Sequence, residues 1–424
     1  MMGSRGVSRP MAEKAMREHH DQAGNGGHEA MGHEHRKAML RMHHQQTLWV
    51  YWTLPLLGVW LIVAPFCFGY MNEALWVDPS GNRGPWFAEQ STPELRELRA
   101  WLMTLSDIAS GVLLVVLGWR SLIPDRPKSV WACCFIGVWL TLAPVLFWAP
   151  TAAAYLNDSF VGILIMALTI LIPGMPNMIM YMQHGKATPP GWSYNPSSWP
   201  QRAIMIAVGF AGFIVSRYLA VFQLGYTEYV WDPFFGFAAG TEKVLNSDMS
   251  HNWPVSDGGL GAMAYTFEFL MGYMGSPARW RTMPWMVAFF GVLVIPLGLI
   301  HIVLVVSQPV IVHHFCSMCL LAALIMLPML PLEFDEVVAM FQHLQQAKKR
   351  GDRDGSLWAI FWKGGTADGC TDEDAAPEIG PWLTRPVETS FAVACSLIAV
   401  AVIAVSIPRG VVTQRYGDWD RYIR

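Results

Sequence analysis

Eight stretches of this chain are each apolar over about the length that crosses a bilayer, at residues 48–70, 99–119, 129–149, 157–181, 203–224, 283–307, 311–331 and 389–407, and a shorter one lies at 259–275. A hydrocarbon core takes roughly 20 such residues per helix. Within it every backbone polar group must find its partner internally, which leaves helices as the form these stretches can adopt. The expected fold is therefore an all-α polytopic membrane protein with about nine transmembrane helices. Composition agrees: 53% hydrophobic residues, 14% charged ones, a mean hydropathy of +0.31 and 20 Trp are far from the usage of a soluble domain. With a formal net charge of −3, no nucleic-acid partner is expected, whereas membrane lipid is.

Lys and Arg concentrate in short loops that stay on the cytoplasmic side. Arg36, Lys37 and Arg41 precede the first stretch, Arg120, Arg126 and Lys128 follow the second, and Lys186 and Arg202 separate the fourth from the fifth. Arg279 and Arg281 come after 259–275, and Lys348, Lys349, Arg350, Arg353 and Lys363 come after 311–331. The 226–258 segment holds one base, Lys243, against five acids, and so faces outward. This pattern predicts a multi-pass membrane protein with a cytoplasmic N-terminus. It also places the tail outside despite Arg409, Arg415, Arg421 and Arg424. The first 47 residues show no cleavable signal peptide. They contain His19, His20, His28, His33, His35, His43 and His44, and read either as a disordered cytoplasmic tail or as a metal-capturing one.

The first half repeats itself. "GVWLIVAP" at 58–65 returns as "GVWLTLAP" at 137–144, and "SDIASGVLLVVLG" at 106–118 returns as "NDSFVGILIMALT" at 157–169. The region 48–181 thus reads as two copies of a helix pair, with Trp60 and Trp139 in interfacial or packing positions and Pro65 and Pro144 bending or ending their helices. It resembles the SPW repeat family of two-helix membrane units, which implies no established chemistry and leaves a structural or docking role.

Candidate chemistry lies in the second half, where "VHHFCSMCLLAAL" at 312–324 places Cys316 and Cys319 three residues apart beside His313 and His314. Residues so spaced share a helix face, and a helix start favours the thiolate form. The spacing admits a redox pair, two buried structural cysteines or half of a zinc site; Cys67, Cys133, Cys134, Cys370 and Cys395 lie elsewhere. By a rise of about 1.5 Å per residue, Arg217, Glu268 and His301 fall at roughly the depth of Cys319. They are expected to cluster, with Arg217 and Glu268 as a buried ion pair that is either structural or serves to move protons at the site.

The ordered set "AYTFEFLMG", "RWRTMPW" and "FCSMCL" resembles the vitamin K epoxide reductase family over about 203–331. The resemblance implies a four-helix bundle, spanning 202–332, in which a membrane-embedded CxxC passes electrons to a quinone such as ubiquinone or menaquinone. It makes Cys316 the exchanging thiol and Cys319 its inner partner, and it implies a periplasmic thioredoxin-like protein or a small thiol as the partner. Two features depart from the family. The 226–258 loop has no cysteine, where the family carries a relay pair. Asp257 stands in place of a quinone-binding Asn, and Ala323 in place of a Tyr. Asp257 reads as a quinone ligand or as a helix cap.

The loop, with Trp231, Phe234, Phe235 and Trp253, is expected to form a lid over the bundle or a docking surface. Segment 333–388 is expected to be a cytoplasmic amphipathic helix and linker, with Glu333, Asp335 and Glu336 on a solvated face, and 389–424 to be a last span and tail. Two functions fit: a membrane thiol:quinone oxidoreductase, or a non-catalytic scaffold that has kept the bundle.

Overall fold

The computed structural model describes residues 33–77, 92–124, 126–171, 188–227, 229–232, 240–251 and 255–365. The chain divides into two units, Met1–Trp49 and Val50–Arg424. In the first, α1 (His33–Gln46) is a helix whose last turn carries His43 and His44, where cations complement the helix dipole. That corrects the expectation of a wholly disordered tail; His19, His20 and His28 lie outside the described residues.

In the larger unit, α2 (Leu48–Cys67), α3 (Pro93–Ser121), α4 (Pro127–Leu146) and α5 (Ala152–Leu171) form the first half. Proline in the first turn starts both α3 and α4, where its fixed φ suits a helix and its missing N–H costs nothing. The repeated sequence appears as repeated contacts. A Cβ on Gly111 would lie 2.6 Å from the Gly58 carbonyl oxygen, and one on Gly162 would lie 2.7 Å from that of Gly137. Each helix pair therefore packs backbone to backbone through small residues. Trp60 Nε1 donates to Asn157 Oδ1 at 2.8 Å, and Trp139 Nε1 to Ser106 Oγ at 2.9 Å, so each copy's indole bonds the other copy's polar turn. The stretch after α2 ends in the left-handed conformation at Gly69, and the one after α4 does so at Trp148, with φ of 62° and 51°. A bulky side chain is uncommon there, and Arg99 lies 5.6 Å from the Trp148 ring.

The second half comprises α6 (Trp199–Gln223), α7 (Gly240–Leu245), α8 (Asp248–His251), α9 (Asp257–Tyr273), α10 (Arg279–Thr282), α11 (Pro284–Ser307), α12 (Ser317–Met326), α13 (Met329–Arg350) and α14 (Leu357–Lys363). A π-helical stretch, Gln308–Val312, extends α11. Helices α6 and α9 run antiparallel: Cβ atoms on Gly258, Gly261 and Gly272 would meet Ala220, Ser216 and Ile206, and those on Gly209 and Gly212 would meet Phe269 and Tyr265. Val145 fills the space beside Gly259, and the Tyr226 hydroxyl donates to the Ala149 carbonyl at 2.7 Å. The two halves are thus packed together.

Among the described residues, seven helices are long and apolar enough to cross a membrane. The 259–275 stretch forms α9, a helix of 17 residues, and 389–407 lies outside the described residues. Seven of the nine expected spans are thus found among the described residues. The last of the seven, Ser317–Arg350, corrects the boundary placed near 332: α13 follows α12 after two residues instead of leaving as a separate surface helix. Glu333 and Glu336 are 0% and 1% exposed, the reverse of a solvated face. They occupy the α13 stripe with Met340 and Ala347, and Arg279 grips Glu336 through Nε–Oε1 at 2.5 Å and Nη2–Oε2 at 2.6 Å. Asp335 accepts from the Tyr194 hydroxyl at 2.5 Å. Ser197 also donates to Glu336, and Arg202 donates to the carbonyls of Gly272, Met274 and Gly275 at 2.8–3.0 Å. These bonds pin the end of the bundle remote from Cys316.

Two stability outcomes follow. Arg279→Met leaves the Glu336 carboxylate buried without its cation and should destabilise by about 3–5 kcal/mol, read as lost folded protein in detergent melts. Gly111→Ala and Gly162→Ala should each cost about 1–3 kcal/mol from overpacking against backbone; an unchanged melting temperature for both would contradict the close approach.

Candidate active site

Helix α12 begins directly after the first cysteine. Cys316 is its N-cap, and its Sγ accepts from the Cys319 N–H at 3.0 Å. The two cysteines form a disulfide across a Cα–Cα distance of 5.2 Å, within the range such a bond spans. The Cys316 N–H donates to Gln308 Oε1 at 2.9 Å, so the π-helical stretch preceding the turn supplies the anchor for the motif. Of the remaining cysteines among the described residues, Cys67 is exposed and Cys133 and Cys134 are buried in the first half.

Burial and then the neighbouring charges of Lys243 and His313 pull the His314 pKa below its ordinary value, so His314 contributes less charge than its position suggests. His313 adopts φ of 59° and sets Nδ1 3.2 Å from the Pro309 carbonyl oxygen. The helix N-terminus adds a fixed positive influence at Cys316.

Part of the 226–258 segment covers this end of α12. Val230 and Leu245 pack with Leu219 and Phe222 of α6 around Met318 and Cys319. The segment is tied down by the Val230 N–H to Glu242 Oε1 at 3.0 Å, Thr241 Oγ1 to Asp232, and the Trp231 N–H to the Tyr218 oxygen at 2.8 Å. Among the described residues the covering side chains are aliphatic. Trp231 is half exposed, and Phe234, Phe235 and Trp253 lie outside the described residues. Cys316 is fully buried and Cys319 half-buried.

A cavity of about 140 Å³ opens beside Cys319, lined by Asp257, His301, Gln308, Ser216 and Leu245 among aliphatic walls. An engineered cavity of about 150 Å³ in another protein admits benzene, so this one has room for a single six-membered ring. Asp257 lies in the first turn of α9, whose N-cap is Ser256, accepting from the Gly259 N–H at 3.0 Å. Capping therefore belongs to Ser256. Asp257 accepts instead from the Gly258 N–H at 2.8 Å and from Gln223, while Gln223 Oε1 accepts from Ser256 Oγ at 2.7 Å and the Gly258 N–H at 2.9 Å. Gln223 organises this corner, and nothing in its sequence context marks it.

On the other side, His301 holds Nδ1 2.8 Å from the Leu297 carbonyl oxygen and Nε2 3.3 Å from the Tyr265 hydroxyl, which in turn lies 2.9 Å from the Ala322 carbonyl oxygen. Ala323 offers no hydroxyl, and Tyr265 brings one from α9.

The expected cluster is only partly assembled. Cys319, Asp257 and His301 share the cavity, but Arg217 and Glu268 neither line it nor meet each other. Glu268 sits opposite Gly209, eight residues and about 12 Å along α6 from Arg217. Both Glu268 oxygens lack a hydrogen-bond partner, whereas the Arg217 guanidinium rests 5.3 Å from the Tyr155 ring and 5.5 Å from that of Phe213. The α6–α9 register sets Arg217 and Glu268 at different depths, and Arg217 is turned about 100° from Ser216, which does line the cavity.

Residues 203–334 match the family model described as the vitamin K epoxide reductase family. That span runs from α6 into α13 and contains the disulfide and every residue of the cavity. No curated protein and no solved structure matches the chain.

In a double-mutant cycle, Arg217→Gln and Glu268→Gln should combine with a coupling below about 0.5 kcal/mol. Leu245→Ala removes packing worth about 2–5 kcal/mol and should raise alkylation of the reduced Cys316 thiol at least about tenfold. An unchanged rate in a folded variant would show that the segment does not limit access.

Proposed function

We propose that this chain is an integral-membrane thiol–disulfide oxidoreductase of the vitamin K epoxide reductase type. Its CxxC takes electrons from a thiol partner and passes them to a quinone. The observation that carries this reading is the disulfide whose second sulfur borders a ring-sized cavity, within the segment that matches the family. Electrons enter by exchange: a partner thiolate attacks the Cys316 sulfur, the Cys316–Cys319 bond breaks, and Cys319 leaves as thiolate. The partner's second thiol then resolves the mixed disulfide, leaving the partner oxidised and the CxxC reduced. In the second half-reaction the dithiol returns two electrons and two protons to a quinone ring beside Cys319, and the disulfide reforms. Asp257 and His301 are the polar groups available to quinone oxygens, and Gln308 holds the motif's backbone.

The 226–258 segment carries no cysteine, so the thiol donor is a separate molecule, a thioredoxin-like protein or a small thiol, on the outer side of a bacterial plasma membrane. That donor reaches Cys316 when the segment bearing Val230 and Leu245 opens. The repeat half, of SPW type, acts as a buttress: it supplies Val145 and Ala149 against α9 and the end of α6. A second reading, a non-catalytic scaffold, draws on the covered Cys316 sulfur and the missing loop cysteines.

One experiment separates the readings. Purified protein reduced with dithiothreitol and cleared of reductant should reform its disulfide on addition of ubiquinone or menaquinone, followed by alkylation mass shift. Cys319→Ser should accumulate a mixed disulfide through Cys316. If neither quinone reoxidises the pair and no adduct forms, the scaffold reading stands. Asp257→Asn keeps a first-turn acceptor, so a folded variant with altered quinone reoxidation would assign Asp257 to the ring.

A further inference from the structure

Glu268 is fully buried, and both its oxygens lack a hydrogen-bond partner among the described residues. A carboxyl group so placed is least costly as the neutral acid. It follows Tyr265 by three residues on α9, so the two share a face, and each lies within the other's electrostatic reach. Tyr265 is fully buried, and its hydroxyl stands between two acceptors, His301 Nε2 at 3.3 Å and the Ala322 carbonyl at 2.9 Å. One hydroxyl proton cannot serve both. The Leu297 carbonyl holds the Nδ1 proton of His301, which leaves Nε2 as the nitrogen that changes state, and His301 lines the cavity at Cys319. Behind Glu268 lies Glu333 of α13, also fully buried with both oxygens unpartnered. Beyond it stands the Arg279–Glu336 pair, so the titratable groups facing Glu268 are Tyr265, Glu333 and that pair.

We propose that Glu268 is a proton-relay residue for the cavity, exchanging protons with His301 Nε2 through the Tyr265 hydroxyl and one bridging water. Proton uptake from the cavity runs from His301 to Tyr265 and across the water to Glu268, and delivery runs in reverse, the Tyr265 hydroxyl accepting a proton from one side as it gives its own to the other. This deepens the quinone reading and rests on it for purpose. For each quinone reduced, the dithiol loses two electrons and two protons as its sulfur–sulfur bond forms, and the quinone gains two of each. The relay ends each turnover unchanged.

The test does not need turnover. The infrared carbonyl band of a protonated carboxyl, assigned by its loss in Glu268→Gln, is followed after transfer of the full-length protein into D2O. In wild type the band should shift rapidly. In Tyr265→Phe, which keeps the ring packed against Gly212, and separately in His301→Gln, the shift should slow about tenfold or more. A band that is absent from wild type, or that exchanges as fast in Tyr265→Phe, overturns the relay. Quinone reoxidation of the reduced wild-type pair is measured alongside. Slowed exchange without any reoxidation removes the quinone reading and leaves the relay, whereas reoxidation with unslowed exchange removes the relay alone. With both standing, Glu268→Gln should slow reoxidation by about 10²-fold, in the range of general acid–base catalysis, and flatten its pH dependence, an effect a purely structural carboxyl would not produce.

Discussion

The close antiparallel contact of α6 with α9, made where glycines remove side chains from the interface, sets the register on which every functional placement depends. Gly258 against Ala220, Gly261 against Ser216 and Gly212 against the Tyr265 ring leave no freedom to slide by a turn. Lipid provides no hydrophobic drive between helices, so association depends on such close approach and on interhelical hydrogen bonds. The register brings Asp257 to Gln223 at one end and Gly272 to the Arg202 guanidinium at the other. Between them it puts Tyr265 at the level of His301 and Glu268 beyond it.

The same contact explains the division of labour along the bundle. Near the disulfide the walls are aliphatic and leave a small space, with polar groups only at Asp257, His301, Gln308 and Ser216. At the remote end, Arg202 and Arg279 are saturated with carbonyls and a carboxylate. A buried guanidinium is tolerated when each donor has an acceptor, and these two fasten α6, α9, α10 and α13 to one another.

The repeat half shows how a duplicated sequence can build its own interface. Each copy's Gly–Gly contact closes its helix pair, and each copy's Trp reaches a polar side chain of the other. The docking of Val145 against Gly259 of α9 and of Ala149 against Tyr226 breaks the equivalence, because it uses the second copy.

Sequence by itself determined the membrane-spanning class, the start of a helix at the CxxC and the duplication of the first half, because each rests on local composition, period or spacing. It also singled out Asp257, His301 and Cys319, since polar groups within apolar helices stand out against their neighbours. Tertiary structure decided the rest. Whether Glu268 met Arg217 depended on how two helices align, and no property of either helix fixes that. Glu336 looked solvated because a charged helix face has the same pattern whether water or the Arg279 guanidinium receives it, and that arginine lies 57 residues away along the chain. Gln223 carried no local signal and Tyr265 stood only within a motif, since their roles come from partners on other helices. Periodicity tells which residues share a face, but only packing decides what that face meets.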